Sequence, residues 1–275
     1  MVGGAAALGL AQRGLAVLLL EARMPKAFDP SQPPDLRVSA LNLGSQDLLN
    51  DLGVWGTLEA MRVNPYRRMA VWEESGRCEF HADELGLDSL GYFVENRLLQ
   101  LALLEHAQTD HRVELRTDVA IEDVVFSQHP EVILADGSSA RCRWLVAADG
   151  ANSQLRRLAG IKTRGWPYAQ QVLAITVKTA GRDQDITWQQ FTPDGPKAFL
   201  PLYEQYAELI WYDRAERINE LKRLDPDALA REVRDAFPLE LDDFEVISSA
   251  SFPIQRPHAV DYWQASLVLI GDAAH

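Results

Sequence analysis

Cysteine is scarce in this 275-residue chain. Cys78 and Cys142 stand far apart, too few for a disulfide framework and in no metal-ligand spacing, which points to a reducing compartment and makes the cytoplasm the expected location. The six histidines are scattered and form no cluster with the cysteines, so no metal site is expected. No apolar run approaches the ~20 residues of a membrane span. The apolar N-terminus lacks the basic segment of a signal peptide and runs from a Gly/Ala-rich stretch straight into a strand pattern. Positive charge is short as well: 27 basic residues face 40 acidic ones, a net charge of −13. A field of that sign repels phosphate backbones, which argues against nucleic acid as a partner. Internal repeats and low-complexity segments are lacking.

What the chain does have is enough apolar material for a core. With 47% hydrophobic and 24% charged residues it reads as one large domain or two interleaved ones. Residues 2–13 read as a helix closed by Gly14, and AVLLLE (16–21) as the unbroken apolar strand of a buried parallel sheet. Together they form the second half of a βαβ unit. The spacing of Leu48, Leu49, Leu52, Trp55 and Leu58 predicts a helix over 45–61, and Asn96 stands where it can cap a second over 98–107. Short strands are expected at 69–73, 77–81, 113–117, 120–126 and 132–135, and across the Asp136–Gly137 turn at 142–148. A short helix capped at Asn152 should follow and end at Gly160. From 170 to 213, strand-like runs at 171–178, 186–191, 198–202 and 207–212 alternate with turn residues, predicting an antiparallel sheet. Asp225 and Pro226 open a helix in the favoured cap-then-proline order, and further strands are expected at 244–252 and 266–270. The fold class is therefore α/β: a parallel, Rossmann-like layer interrupted by a mostly antiparallel sheet.

Three short segments carry chemistry. A dinucleotide fingerprint needs glycines where backbone approaches pyrophosphate at a helix N-terminus, and an acidic residue at the tip of the second strand for ribose hydroxyls. Gly3 fits the third glycine of such a motif and Glu21 the acid; the first two glycines fall before Met1, so the chain is expected to be truncated at this end. The second segment, LVAADGANSQLR (145–156), delivers Asp149 and Gly150 from a buried strand to a capped helix. The third, LVLIGDAAH (267–275), ends an apolar strand in Gly271 and Asp272, at the strand edge where open α/β sheets bind ligands. Each alone reads equally well as a turn or strand cap. Their order and spacing together do not.

In that order they resemble the class A flavoprotein monooxygenases of the para-hydroxybenzoate hydroxylase fold, and the resemblance covers the whole chain. It implies an FAD-binding domain, incomplete at both ends and built from residues 1–65, 91–165 and 264–275, with a substrate domain of residues 66–90 and 166–263. It also implies FAD contacts at Gly3, Glu21, Asp149, Gly150, Gly271 and Asp272. Arg37, in DLRVSAL (35–41), matches the family arginine near the flavin. The segments LGVW (52–55), NPYRR (64–68), GYFVEN (91–96), WQQFTPDGP (188–196) and AFLPL (198–202) resemble the ubiquinone-biosynthesis hydroxylases, and within them the branch acting on a methyl- and methoxy-substituted benzoquinol.

The resemblance implies ring hydroxylation of a polyprenylated benzoquinol with O2 and NAD(P)H, through a flavin C4a-hydroperoxide. No catalytic side chain is assigned, since the cofactor carries such chemistry and the protein orients the ring and excludes water. Trp188, Phe191, Phe199 and Pro201 are candidates for a pocket wall, although aromatic strand residues more often serve as core. A polyprenyl substrate leads us to expect transient contact with the inner membrane or a biosynthetic complex. The alternatives at this point are a sister quinol or phenol hydroxylase, or a non-catalytic flavoprotein remnant that holds FAD poorly when expressed alone.

Overall fold

The computed structural model describes residues 1–181, 184–238 and 241–275, and its architecture is mixed α/β. Helix α1 (Val2–Gln12) ends at Arg13, and Gly14 follows at φ +85°, a left-handed turn without Cβ strain. Strand β1 (Val17–Glu21) then runs parallel to β7 (Val113–Thr117), with Leu19 opposite Leu115. Helix α4 (Asn96–Thr109) crosses α1 closely: a Cβ on Gly4 would stand 3.1 Å from that of Leu103. Leu8, Ala11, Leu98, Ala102, Leu103 and Val113 bury together in the core between these helices and the parallel strands. A second parallel pair, β11 (Leu145–Ala147) and β20 (Leu267–Leu269), has Val146 opposite Val268, and β19 (Trp263–Gln264) flanks β20.

Several local expectations need revision. The helix expected over 45–61 is two, α2 (Leu43–Asp51) and α3 (Trp55–Met61), with Gly53 at φ +77° between them. Apolar periodicity continues across the break, but backbone N–H groups of Leu52 and Val54 bond back to Leu48 and Leu49, closing α2 in a glycine-terminated turn. Leu48, counted on the apolar face, is exposed. Asn96 lies inside α4 instead of capping it; its Oδ1 accepts the Ser39 hydroxyl at 2.6 Å. Of the strand expected over 142–148 only 145–147 forms, as β11, and a separate strand precedes it. β10 (Ser139–Arg141) completes an antiparallel meander with β8 (Ile121–Val125) and β9 (Glu131–Leu134), whereas β11 leaves for β20. Helix α5 (Gln154–Leu158) is capped by Ser153, not Asn152, through a 3.0 Å bond from Arg156 N to Ser153 Oγ.

The larger sheet has seven strands in the order β17 (Phe244–Gln255), β13 (Pro167–Thr179), β16 (Tyr206–Arg214), β15 (Lys197–Pro201), β14 (Ile186–Gln190), β4 (Arg68–Glu73) and β5 (Gly76–His81). Residues 68–81 are thus strands of the same sheet as residues 167–255. The sheet is antiparallel except at β14–β4, where Trp188 lies opposite Ala70 in parallel register. Side chains alternate across it. One face carries Leu173, Ile175, Val177, Leu209, Trp211, Trp188 and Phe199, buried under α6 (Ala215–Leu221) and α7 (Pro226–Ala236). Asp225 caps α7 as expected, while α6 was not anticipated; Ile218 and Leu221 bury it in the same core. Trp188 stacks on Phe199 at 5.6 Å, so these two pocket-wall candidates are core residues, as is buried Pro201, and Phe191 is exposed.

The other face turns toward a three-stranded sheet, β2 (Val38–Asn42), β6 (Gly91–Glu95) and β3 (Asn64–Tyr66). Several contacts join the layers, two of them at Arg37 and Asn64. The Arg37 guanidinium lies 5.3 Å from the Phe252 ring centre, and Asn64 Nδ2 donates to the Pro201 carbonyl at 2.9 Å. A two-residue ladder, β12 (Thr163–Arg164) with β18 (His258–Ala259), closes the end of the molecule. Among the described residues no helix is long and apolar enough to cross a membrane.

Phe199 is 1% exposed and packed between Trp188 and the α7 side of the core. Phe199→Ala is expected to lower unfolding free energy by about 3–5 kcal/mol, read from urea denaturation.

Candidate functional site

The strand tips meet at the first turn of α1. A Cβ on Gly3 would lie 3.0 Å from Ala148 Cβ, tighter than ordinary packing, so the helix start is pressed against the end of β11 beside Asp149. On its other side Val2 fills the space next to Gly271: a Cβ there would meet the Val2 side chain at 3.1–3.3 Å, and Gly271 itself adopts φ +58°. Glu21, at the tip of β1, is close enough for its charge to act on the Met1 amino group, whose pKa burial lowers and Glu21 partly restores. Ala148, Gly271 and Glu21 therefore lie about one helix N-terminus, with Asp149 and Asp272 next in sequence to the first two.

Each turn is held locally. Glu21 Oε1 accepts from Arg23 N at 3.2 Å and Oε2 from Gln100 Nε2 at 3.1 Å, which fixes the carboxylate against α4. Asp149 Oδ2 accepts from Leu155 N at 3.0 Å, tying its carboxylate to the start of α5, and Gly150 turns at φ +82°. Buried Arg156 links the two other turns. Its guanidinium donates to the Ala273 carbonyl at 2.7 Å and the Ala151 carbonyl at 2.8 Å, so the 149–151 and 271–273 turns are joined by one side chain. Gln100 and Arg156 escape a search for glycines and acids. The available signals were a glutamine interrupting the apolar run of residues 98–104, and the arginine inside the second segment.

Arg37 sits apart from this cluster. Its carbonyl accepts from Asn96 N at 2.9 Å, one helical turn from Gln100, but its side chain leans on Phe252 of the large sheet. The segment leading to it is anchored by buried Arg62. That guanidinium donates to the Gln32 carbonyl at 2.8 Å and the Asp29 carbonyl at 3.0 Å, covers the Tyr203 ring at 4.2 Å, and lies 3.5 Å from Glu95. Glu95 Oε2 in turn accepts from Asp35 N at 2.9 Å.

A second group on the sheet was missed from sequence. Glu208 of β16 is 1% exposed; Thr176 donates to its Oε2 at 2.9 Å and Oε1 has no partner. Burial pushes its pKa up from 4.5 to about 8, against the Thr176 bond. A lone acid alternating with apolar residues reads as the solvent face of a strand, and only the facing layer makes it interior. A depression of about 330 Å³ between α7 and β17, lined by Pro226, Ala230, Arg231 and Phe244, lies under the helices, remote from all these groups.

The convergence fits a flavin dinucleotide. The first turn of α1 has no acidic residue, so its free N–H groups can face a pyrophosphate, while the acids stand on neighbouring strand tips where ribose and ribityl hydroxyls can donate to them. Residues 1–275 match the family described as FAD binding domain. The chain belongs to the FAD-binding-domain family. Over its whole length it is 44% identical to 3-demethoxyubiquinol 3-hydroxylase of Escherichia coli (strain K12), of which it spans 71%. It is 30% identical to the human mitochondrial ubiquinone biosynthesis monooxygenase COQ6 over 94% of this chain and 65% of that protein. Against relatives of this length it spans about two thirds. Among solved structures, p-nitrophenol 4-monooxygenase PnpA from Pseudomonas putida DLL-E4 superposes with TM-score 0.76 at 17% identity, covering all of this chain and 70% of that one. The flavin-dependent monooxygenase PieE, solved with FAD and substrate, gives 0.75 at 18% identity, covering 99% of this chain and 51% of that one. These similarities place the FAD-binding-domain fold across the entire chain.

Gly3→Val places a branched side chain against Ala148 and is expected to weaken FAD binding at least about tenfold in a fluorescence titration. The Glu208 carboxyl holds its proton more tightly folded than unfolded, so its contribution to stability is full below about pH 4.5 and is lost as pH rises to about 8. Urea midpoints should therefore fall across that window in the parent protein, and fall less in Glu208→Gln.

Proposed function

We propose that this protein is a flavin-dependent hydroxylase of a polyprenylated benzoquinol in ubiquinone biosynthesis, using FAD, O2 and NAD(P)H. The reading rests on one observation above all: the three strand tips gather around a single glycine-packed helix N-terminus in a chain 44% identical to a 3-demethoxyubiquinol 3-hydroxylase. In this reading residues 1–65, 91–165 and 264–275 form the FAD-binding domain, and residues 66–90 and 166–263 the substrate domain.

The first turn of α1, at Gly3, faces the pyrophosphate of FAD, and Glu21 accepts hydrogen bonds from a ribose. Asp272, following Gly271, accepts from the ribityl chain, while Asp149 and Gly150 line the flavin and the approach of the nicotinamide. Bound FAD supplies the activation of dioxygen and the transfer of one oxygen atom to the ring. The chain's own work is geometric: Arg37 and the inward face of the large sheet cover the reacting ring and keep water out. An apolar polyprenyl tail is best accommodated if the protein works at a membrane surface or within an assembly that passes quinols between enzymes.

The test is a chimera in which this chain replaces the matching 71% of the E. coli relative, expressed in cells lacking that enzyme. The expected outcome is restored ubiquinone by mass spectrometry, with one ring oxygen labelled from ¹⁸O2. A chimera that retains FAD but accumulates an unhydroxylated quinone counts against the assigned substrate.

A further inference from the structure

Glu208 stands between Ala207 and Leu209, both fully buried in the core under α6 and α7. Alternation along β16 therefore points Glu208 to the opposite face, the one that meets the β2–β6–β3 sheet. Its cross-strand neighbours are Thr176 on one side and Leu200 on the other, and Thr176 lies opposite Ser248. The same face carries Phe252, and two bridges to the facing layer flank Glu208. Phe252, opposite Val172, holds Arg37, and the Pro201 carbonyl, next to Leu200, holds Asn64. Val172 and Thr176 are separated by four residues, roughly 13 Å of strand. Glu208 thus lies between two points where the layers touch, on the face turned toward the β2–β6–β3 sheet.

We propose that Glu208 anchors the ring of the substrate: its unpartnered Oε1 takes a hydroxyl or methoxy oxygen of a quinol head group lying between the seven-stranded sheet and the β2–β6–β3 sheet. This rests on the hydroxylase reading above and adds a substrate-orienting residue to it. Thr176 donates to Oε2, so in the neutral acid Oε2 is the acceptor and Oε1 carries the proton, a donor aimed at an oxygen. A pKa of about 8 keeps the acid neutral near pH 7, where it donates without placing a second negative charge beside an electron-rich ring. Stability alone does not account for such a group. A buried carboxyl with one satisfied oxygen is costly, and an apolar side chain of similar volume in its place is commonly neutral or stabilising.

The test measures binding of 2-methoxy-5-methylhydroquinone, the head group without a tail, to the protein with excess FAD, by quenching of tryptophan fluorescence. Glu208→Leu should raise the Kd about tenfold with Tm unchanged or higher, whereas Glu208→Gln, which keeps a donor and an acceptor, should bind near the parent value. In the parent, the infrared stretch of the protonated carboxyl should shift on probe binding, and the shifting band should be missing in Glu208→Gln. Unaltered binding in Glu208→Leu, or no infrared shift, overturns the assignment of Glu208 while leaving the hydroxylase reading in place. If Glu208→Leu does not fold, the infrared comparison decides. A parent protein that binds FAD but not the hydroquinone overturns the substrate class and this inference with it.

Discussion

The contact between Gly3 and Ala148 is the constraint on which the arrangement of the site depends. With hydrogen in place of a side chain, the first turn of α1 lies against the end of β11, and Val2 falls into place beside Gly271. A methyl at position 3 already requires helix or strand end to give by a few tenths of an ångström, and a branched side chain requires more. Nothing in this contact is strongly attractive. Its value is that it lets peptide N–H groups approach a ligand more closely than side chains allow.

The polar ties then act on a frame already set by that packing. Arg156 bridges the turns after β11 and β20, and Arg62 gathers the segment before Arg37 against Glu95 and Tyr203. Both arginines are buried, and both donate to backbone carbonyls of the segments they hold. In a chain with a net charge of −13, basic residues are placed where loops must keep a shape. Glu21 and Asp149 at the strand tips, by contrast, are held by neutral N–H donors and keep further acceptor capacity for hydroxyl groups of a ligand.

The strand tips were legible because parallel strands buried on both faces are written as unbroken apolar runs ending in a turn residue, as in LVLIGD and LVAADG. Chain order and spacing of those runs sufficed to indicate the α/β class. The antiparallel sheet was legible as strands but not as an array, because the parallel pairing of β14 with β4 joins segments more than a hundred residues apart. The break in the 45–61 helix was hidden by a regular apolar spacing that runs through Gly53; backbone geometry decided it, not hydrophobicity. Glu208 was invisible for a related reason. Alternation identifies the two faces of a strand but does not reveal whether the polar one meets water or another layer. Trp188 and Phe199 show the same ambiguity from the apolar side, and the core under α7 claimed both.

The chain enters the seven-stranded sheet twice, first as β4 and β5 and again from β13 onward, returning between the visits to build β6, α4 and β7. Neither lobe can be completed by a contiguous stretch of polypeptide. During synthesis β4 and β5 must wait as a solitary hairpin for partners made a hundred residues later, and a pairing of that span is slow to close. Cutting the gene between β5 and β13 consequently parts β4 from β14 and leaves an open sheet edge in each half, so the two lobes are one cooperative folding problem rather than a pair of modules.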